Sequence, residues 1–270
     1  MSFSYDFYIN RKSWMHDIDP RAKLLLSAAL MVIALCIENL WIIAAILVGI
    51  HLMLVSAHVP IDRFAWVWKM MTPVMIMIVL LWPLFYRTGS TVLIEAGFIR
   101  VTLESVLTGL TMALRISALG FACFILLFTT DQARIIRGLV KMGVPYNVGL
   151  TLAIALRYLP TFYGIINMVI DAQRARGLDL KKGGLIARLT SYMPILVAVI
   201  ITGLRTSDNL AHALETRAFG AGEGKRTYLH DLKMSGFDIA FSAAVAVFTA
   251  VVLVARFRYH FGDELLALVA

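Results

Sequence analysis

The sequence predicts an all-α, polytopic membrane protein with about five transmembrane helices and a cytoplasmic domain of long amphipathic helices. Hydrophobic residues make up 60% of the 270 positions and the mean hydropathy is +0.81, more apolar surface than one soluble core of this length hides. The apolar residues are gathered into runs bounded by Lys and Arg, as the positive-inside rule requires of membrane spans. Between about Asp131 and Lys233 the pattern changes. Basic residues recur every few positions there, although Leu150–Leu156 and Ile195–Leu204 stay strongly apolar.

The first helix is set up by Asp17-Ile18-Asp19-Pro20-Arg21-Ala22-Lys23. Asp19 suits the N-cap, Pro20 the first helical position, and Arg21 and Lys23 hold this end on the cytoplasmic side. The run from Leu24 to about Ile37 is short, and Leu40–Val55 follows after only Glu38 and Asn39, which predicts a tight helical hairpin. His58, Arg63 and Lys69 bring the chain back to the cytoplasmic side. A third span is expected from about Met70 to Phe85, with Trp82, Phe85 and Tyr86 as an outer aromatic belt. Residues 87–104 carry a turn signal at Gly89-Ser90 and weak alternation near Thr91–Ile94, and receive no assignment. The fourth span is Val106–Thr129, whose one charge, Arg115, is expected to face protein or a head group instead of lipid. Gly236–Ala255 supplies the last span, rich in small residues that permit close helix packing. Arg256 and Arg258 beyond it oppose the positive-inside rule. The expected organisation is an N-terminal membrane domain over 1–130, a cytoplasmic segment over 131–234, and a terminal span and tail over 235–270.

Within the middle segment, a helix over Ile195–Arg217 sets Thr202, Arg205, Asp208/Asn209, His212 and Glu215/Thr216 opposite Leu204, Leu210 and Leu214. The helix approaching Arg176 has Asn167, Asp171 and Arg174 on one side, with Phe162, Ile165, Val169 and Ala172 on the other. One face of each is expected to be buried against another surface. Two stretches end these helices: Arg174-Ala175-Arg176-Gly177 and Glu215-Thr216-Arg217-Ala218-Phe219-Gly220. A cation near the negative end of a helix followed by glycine is good local capping chemistry. Each helix is also preceded by a Tyr-x-Pro start, Tyr158-Leu159-Pro160 and Tyr192-Met193-Pro194, so the segment reads as two related arms. Pro160 and Pro194 suit either helix starts or kinks. An arginine projecting from a helix end can form multi-donor bonds inside a partner's groove.

The chain resembles the transmembrane T component of energy-coupling factor transporters, the CbiQ-like group. His16-Asp17-Ile18-Asp19-Pro20-Arg21-Ala22-Lys23-Leu24, Gly143-Val144-Pro145, Leu156-Arg157-Tyr158-Leu159-Pro160 and the two arginine stretches carry the resemblance. It implies a scaffold in the cytoplasmic (inner) membrane of a prokaryote, with its N-terminus and coupling segment cytoplasmic. This scaffold would join two cytosolic ABC ATPase subunits to a substrate-binding membrane S component that takes up a vitamin or a transition-metal ion. ATP and magnesium would be bound by the partner subunits, so no cofactor is expected in this chain. Ala175, Arg176 and Gly177 match one ATPase-coupling motif of that family. Thr216, Arg217 and Ala218 stand at the second, with glycine displaced to Gly220. Arg157, Pro160, Arg174, Pro194, Glu215 and Gly220 support the two helices.

Other classes find little in the residues. The formal charge of +8 and pI near 9.7 do not point to nucleic acid, because basic and aromatic residues are not interleaved on polar strands. The six histidines are scattered without metal-ligand spacing and read as interfacial. Cys36 and Cys123 read as small packing residues. Gly220–Thr227 glances at a phosphate loop, but Arg226 stands where Ser or Thr is needed. The competing reading is a solute-binding membrane subunit or an independent membrane carrier, against which the long basic middle segment argues. An intramembrane enzyme lacks a cluster of catalytic residues.

Overall fold

The computed structural model describes residues 7–9, 11, 13–85, 91–96, 99–177, 184–220, 232, 234–259 and 261–262. In chain order its elements are α1 (Trp14–Asp17), α2 (Pro20–Cys36), α3 (Leu40–Ser56), α4 (Ile61–Phe85), β1 (Val92–Ala96), β2 (Ile99–Thr102), α5 (Leu103–Thr129), α6 (Gln132–Lys141), α7 (Tyr146–Ala175), α8 (Leu185–Glu215) and α9 (Gly236–Tyr259). The protein is all-α apart from one antiparallel strand pair among the described residues. It forms two compact units, Met1–Val144 with Leu232–Ala270, and Pro145–Asp231.

In the first unit α5 is the central helix, packed against α2, α3 and α4, while α9 packs on α2. The reason lies in its sequence. Gly109, Ala113, Ser117, Ala118 and Ala122 lie on its buried face and let neighbouring helices approach, while Phe121, Ile125 and Phe128 fill the space between. Any side chain at Gly109 would meet Trp82 Cβ at 3.2 Å. Ser27 of α2 donates its hydroxyl to Ala122 O at 2.8 Å. The predicted α2–α3 hairpin is present, but α3 packs chiefly on α5, α2 packs on α5 and α9 alike, and the two touch each other only marginally.

Helix ends in this unit follow their local chemistry. Asp19 accepts the Arg21 N–H at 2.9 Å, and Asn39 accepts the Trp41 and Ile42 N–H groups at 2.9 and 3.2 Å. Thr102 and Ser105 form a reciprocal capping box at the start of α5. α2 and α3 have 17 residues each, about 25 Å, shorter than a hydrocarbon core of about 30 Å. α2 ends beside Arg115, midway along α5. Arg115 donates to Ile37 O at 2.6 Å, and Arg256 donates its Nε–H to Cys36 O at 2.6 Å with Glu38 3.6 Å away. The charge expected to face protein or a head group thus meets a backbone carbonyl. Arg256 lies inside the last turn of α9, not beyond it.

Other boundaries differ from expectation. α4 begins at Ile61, so Arg63 and Lys69 belong to its first turns and not to a loop; Pro73 and Pro83 both lie within it. Part of the unassigned stretch forms the β1–β2 pair, with a register shift between Val92 and Ile94; Gly89-Ser90 lies outside the described residues. His51, expected at an interface, is engaged within the protein. Its Nδ1 donates to Leu47 O at 2.8 Å, its Nε2 accepts from Trp68 at 3.1 Å, and its ring packs 4.4 Å from Phe121. Cys123 is exposed on α5 and so is no interior packing residue.

Five helices have the length and hydropathy to cross a membrane: α4, α5, α7, the Thr190–Glu215 part of α8, and α9. Two of these come from the middle segment, while the shorter α2 and α3 fall outside the set. The chain is a polytopic membrane protein.

Candidate functional site

The second unit is built on α7 and α8, of 30 and 31 residues, each about 45 Å long. They pack on each other. On α7 the half-buried positions include Ile154, Tyr158, Phe162, Ile165 and Val169, spaced by three and four. On α8 they include Ala198, Val199, Thr202, Gly203 and Thr206, with Ile195 buried. A Cβ at Gly203 would meet the Phe162 ring at 3.4 Å. Thr202 therefore lies on the less exposed side of α8 together with Leu210 and Leu214, while Leu204 points outward at 61% exposure. Small and hydroxyl side chains pack because they let the backbones approach, and the threonine hydroxyls are satisfied along their own helix.

Pro160 and Pro194 are not helix starts. Both lie inside helices that begin much earlier, at Tyr146 and Leu185. Each removes one backbone donor from its helix, and both side chains are exposed, as is Arg157.

The outer surface of each helix changes along its length. On α8, Leu196, Val197, Ile200, Ile201 and Leu204 are exposed first, followed by Arg205, Asp208, Asn209, His212 and Glu215. On α7, Leu152, Leu156, Leu159, Tyr163 and Met168 precede Asp171, Arg174 and Arg176. Both helices thus have an apolar root and a polar tip. Exposed pairs join Arg174 to Asp171 and His212 to Glu215, each at 3.4 Å.

The two tips share one backbone design. At the end of α7, the Arg176 N–H donates to Gln173 O at 3.1 Å and the Gly177 N–H to Arg174 O at 2.9 Å. At the end of α8, the Arg217 N–H donates to Leu214 O at 3.2 Å and the Ala218 N–H to Glu215 O at 2.8 Å. The residue after each arginine is left-handed, Gly177 with φ 89° and Ala218 with φ 54°. Ala218 therefore occupies the turn position that glycine holds at the first tip, and Gly220, with φ 88°, makes a second reversal two residues on. The Phe219 N–H also closes onto Leu214 O at 3.0 Å, a Schellman-type end. Its ring stacks on Tyr146 at 6.4 Å. Ala175, Arg176, Thr216 and Arg217 are all exposed.

Sequence reasoning missed Ala218 as a turn residue because alanine rarely adopts this conformation. An aromatic residue two places beyond the arginine was the available signal, since an apolar residue there commonly closes such an end. Beyond Gly220, the glycine-rich stretch lies outside the described residues.

Membrane-spanning helices joined to a pair of arginine-tipped helices define a membrane-embedded transport component, and the relatives agree. Residues 11–228 match the family model CbiQ, "Cobalt transport protein". The chain is 31% identical over 232 residues to the energy-coupling factor transporter transmembrane protein EcfT of Listeria innocua, covering 82% of this chain and 86% of that one. It is 30% identical over 268 residues to the protein of that name from Thermosediminibacter oceani, covering 93% and 96%, and 27% identical over 261 residues to that of Ruminiclostridium cellulolyticum, covering 93% and 96%. The chain belongs to the CbiQ family, the transmembrane T components of energy-coupling factor transporters. It is a non-catalytic inner-membrane scaffold that works within a transporter complex.

Proposed function

We propose that this scaffold couples two cytosolic ABC ATPase subunits to a substrate-binding S component through α7 and α8. Arg176 and Arg217 each enter a cleft on one ATPase. ATP and magnesium are bound by those partners, and closure of the ATPase pair displaces both helix tips. The apolar roots of the same helices pass the displacement to the S component in the bilayer, with Pro160 and Pro194 as the points of least bending resistance. On this reading the tips, the N-terminus and the basic faces of α6 lie on the cytoplasmic side.

The observation that carries the reading is the shared end geometry. Two helices with little sequence identity at their ends place an exposed arginine one residue before a left-handed turn, and the second does so with alanine. Local stability alone favours glycine there, by about 1–2 kcal/mol against the left-handed strain of an L-residue. A repeated device with an exposed guanidinium fits docking into two equivalent clefts, where arginine is a common hot spot. The wide surround of Ala175, Arg174, Thr216 and Glu215 supplies small and charged neighbours for such a cleft.

The test is co-isolation. Changing Arg176 and Arg217 together to Ala should leave the chain in the membrane fraction and reduce ATPase co-purification at least about thirty-fold, the loss of roughly one hot spot of 2 kcal/mol. Each single change should be milder. Undiminished association of the double variant would remove the coupling role from these residues.

A further inference from the structure

The first turn of α2 gathers more buried polar chemistry than any capping requirement explains. Lys23 is 1% exposed, yet among the described residues its ammonium reaches no carboxylate within ion-pair distance. It donates to Thr129 O at 3.0 Å, the last residue of α5, and to His16 O at 3.3 Å. The carboxylates of Asp17, Asp19 and Asp238 lie near enough to attract it, and Arg134 near enough to repel it. Asp238, 5% exposed, uses one oxygen to accept the Ser235 N–H at 2.8 Å, closing the start of α9. Its other oxygen accepts the Asp19 N–H at 3.2 Å. One carboxylate therefore ties together the beginnings of two helices 219 residues apart. α6 is seated on the same turn. A Cβ at Gly138 would lie 3.2 Å from Pro20 Cβ.

The connectivity makes this cluster more than a capping device. The chain leaves the first unit after α5 and α6, at Val144, and re-enters it at Leu232, just before α9. Lys23 holds the end of α5, Pro20 seats α6, and Asp19 with Asp238 holds the start of α9. The helix before the first connection and the helix after the second are thus both held at one turn of one helix. Buried charges held by backbone hydrogen bonds fix the position of the helix ends that supply those bonds, and removing the charge leaves the backbone groups unsatisfied.

We infer that the Asp19–Lys23 turn, with Asp238 and Gly138, is the anchorage through which displacement of the α7–α8 unit reaches α5 and α9. Lys23 and Asp238 are positioning residues, acting through the helix ends they hold. The inference rests on the coupling reading above. Slack at either connection would let the tips move while the membrane helices stayed still.

The test uses the co-purified transporter complex in lipid nanodiscs, with hydrogen exchange followed by mass spectrometry, with and without ATP and vanadate. In the wild type, nucleotide should alter exchange in peptides of 146–215 and also in those of α5 and α9. Lys23→Met and, as a gentler variant that keeps every charge, Gly138→Ala should leave the first response intact. The α5 and α9 responses should fall at least about three-fold, a ratio that merely structural damage would not change, since it would lower both responses together. Responses in α5 and α9 equal to wild type in both variants would overturn the anchorage alone, and so would a parallel loss in both units. A wild-type complex with no response in 146–215 would instead sink the coupling reading, and the anchorage with it.

Discussion

The two units of this protein solve opposite problems with the same helical material. In the first, α5 is wrapped by its neighbours, Phe121 is 0% exposed, and helix ends close on side chains from distant parts of the chain. In the second, α7 and α8 touch along one narrow seam where small residues of α8 meet larger ones of α7, and Gly149 and Ile195 are the buried residues described there. A unit that buries so little of itself keeps its faces for lipid or for partners, whereas the first unit is held by its own interior. Stability should therefore be concentrated in one unit and interaction in the other.

That contrast can be broken by substitution. Phe121→Ala, in the seam of α3, α4 and α5, should cost about 3–5 kcal/mol through the cavity it leaves. Leu204→Ala, on the outward face of α8, should cost the isolated chain under about 0.5 kcal/mol. Denaturation of the detergent-solubilised protein measures both, and equal losses would erase the distinction. Arg115→Leu comes next. It leaves Ile37 O without its donor and should cost about 2 kcal/mol, read as a lowered Tm, with exchange in α7 and α8 unchanged.

Smaller effects separate the two helix tips. Gly177→Ala places an L-residue at φ 89° and should destabilise the end of α7 by about 1 kcal/mol. Ala218→Gly relieves the corresponding strain but loosens the unfolded chain, for a net gain of about 0.5 kcal/mol. Amide exchange at the last turn of each helix should move in opposite directions. The smallest effect is a pH dependence confined to the first unit. Burial lowers the pKa of His16 from 6.5, and its Nε2–H donates to Ile9 O at 2.9 Å while Nδ1 accepts from Ser13 at 2.7 Å. The folded state binds this proton less readily than the unfolded chain. The contribution is therefore complete above about pH 6.5 and declines as pH falls below it. The Tm of the wild type should drop a degree or two more between pH 7.5 and 5.5 than that of His16→Asn.

Legibility in the sequence followed the range of the interactions. Asp19-Pro20 announced the start of α2 because N-capping involves neighbours only, and the apolar runs located α2, α3, α5 and α9 because burial in lipid is read from composition. The arginine tips were legible for the same reason, as cations at helix ends. What escaped notice depended on distance or on tolerance. Arg115 meets Ile37 across 78 positions, and no local pattern encodes that pairing. Pro160 and Pro194 left helix start and kink both open because proline suits either, and the structure places both within a long apolar helix, where neighbouring groups tolerate it. Periodicity separated the sides of α8 without saying which one meets α7 and which is left outward, as Leu204 is.

The guanidinium of Arg256 carries one last consequence. Counting Lys and Arg at the ends of spans treats every such residue as a topogenic signal, and by that count the end of α9 is on the wrong side. With its Nε bonded to the carbonyl of Cys36 and Glu38 beside it, this arginine serves instead as a clasp for a truncated neighbouring helix. Its positive charge is answered within the protein, so any orientation assigned by tallying charges should leave it out.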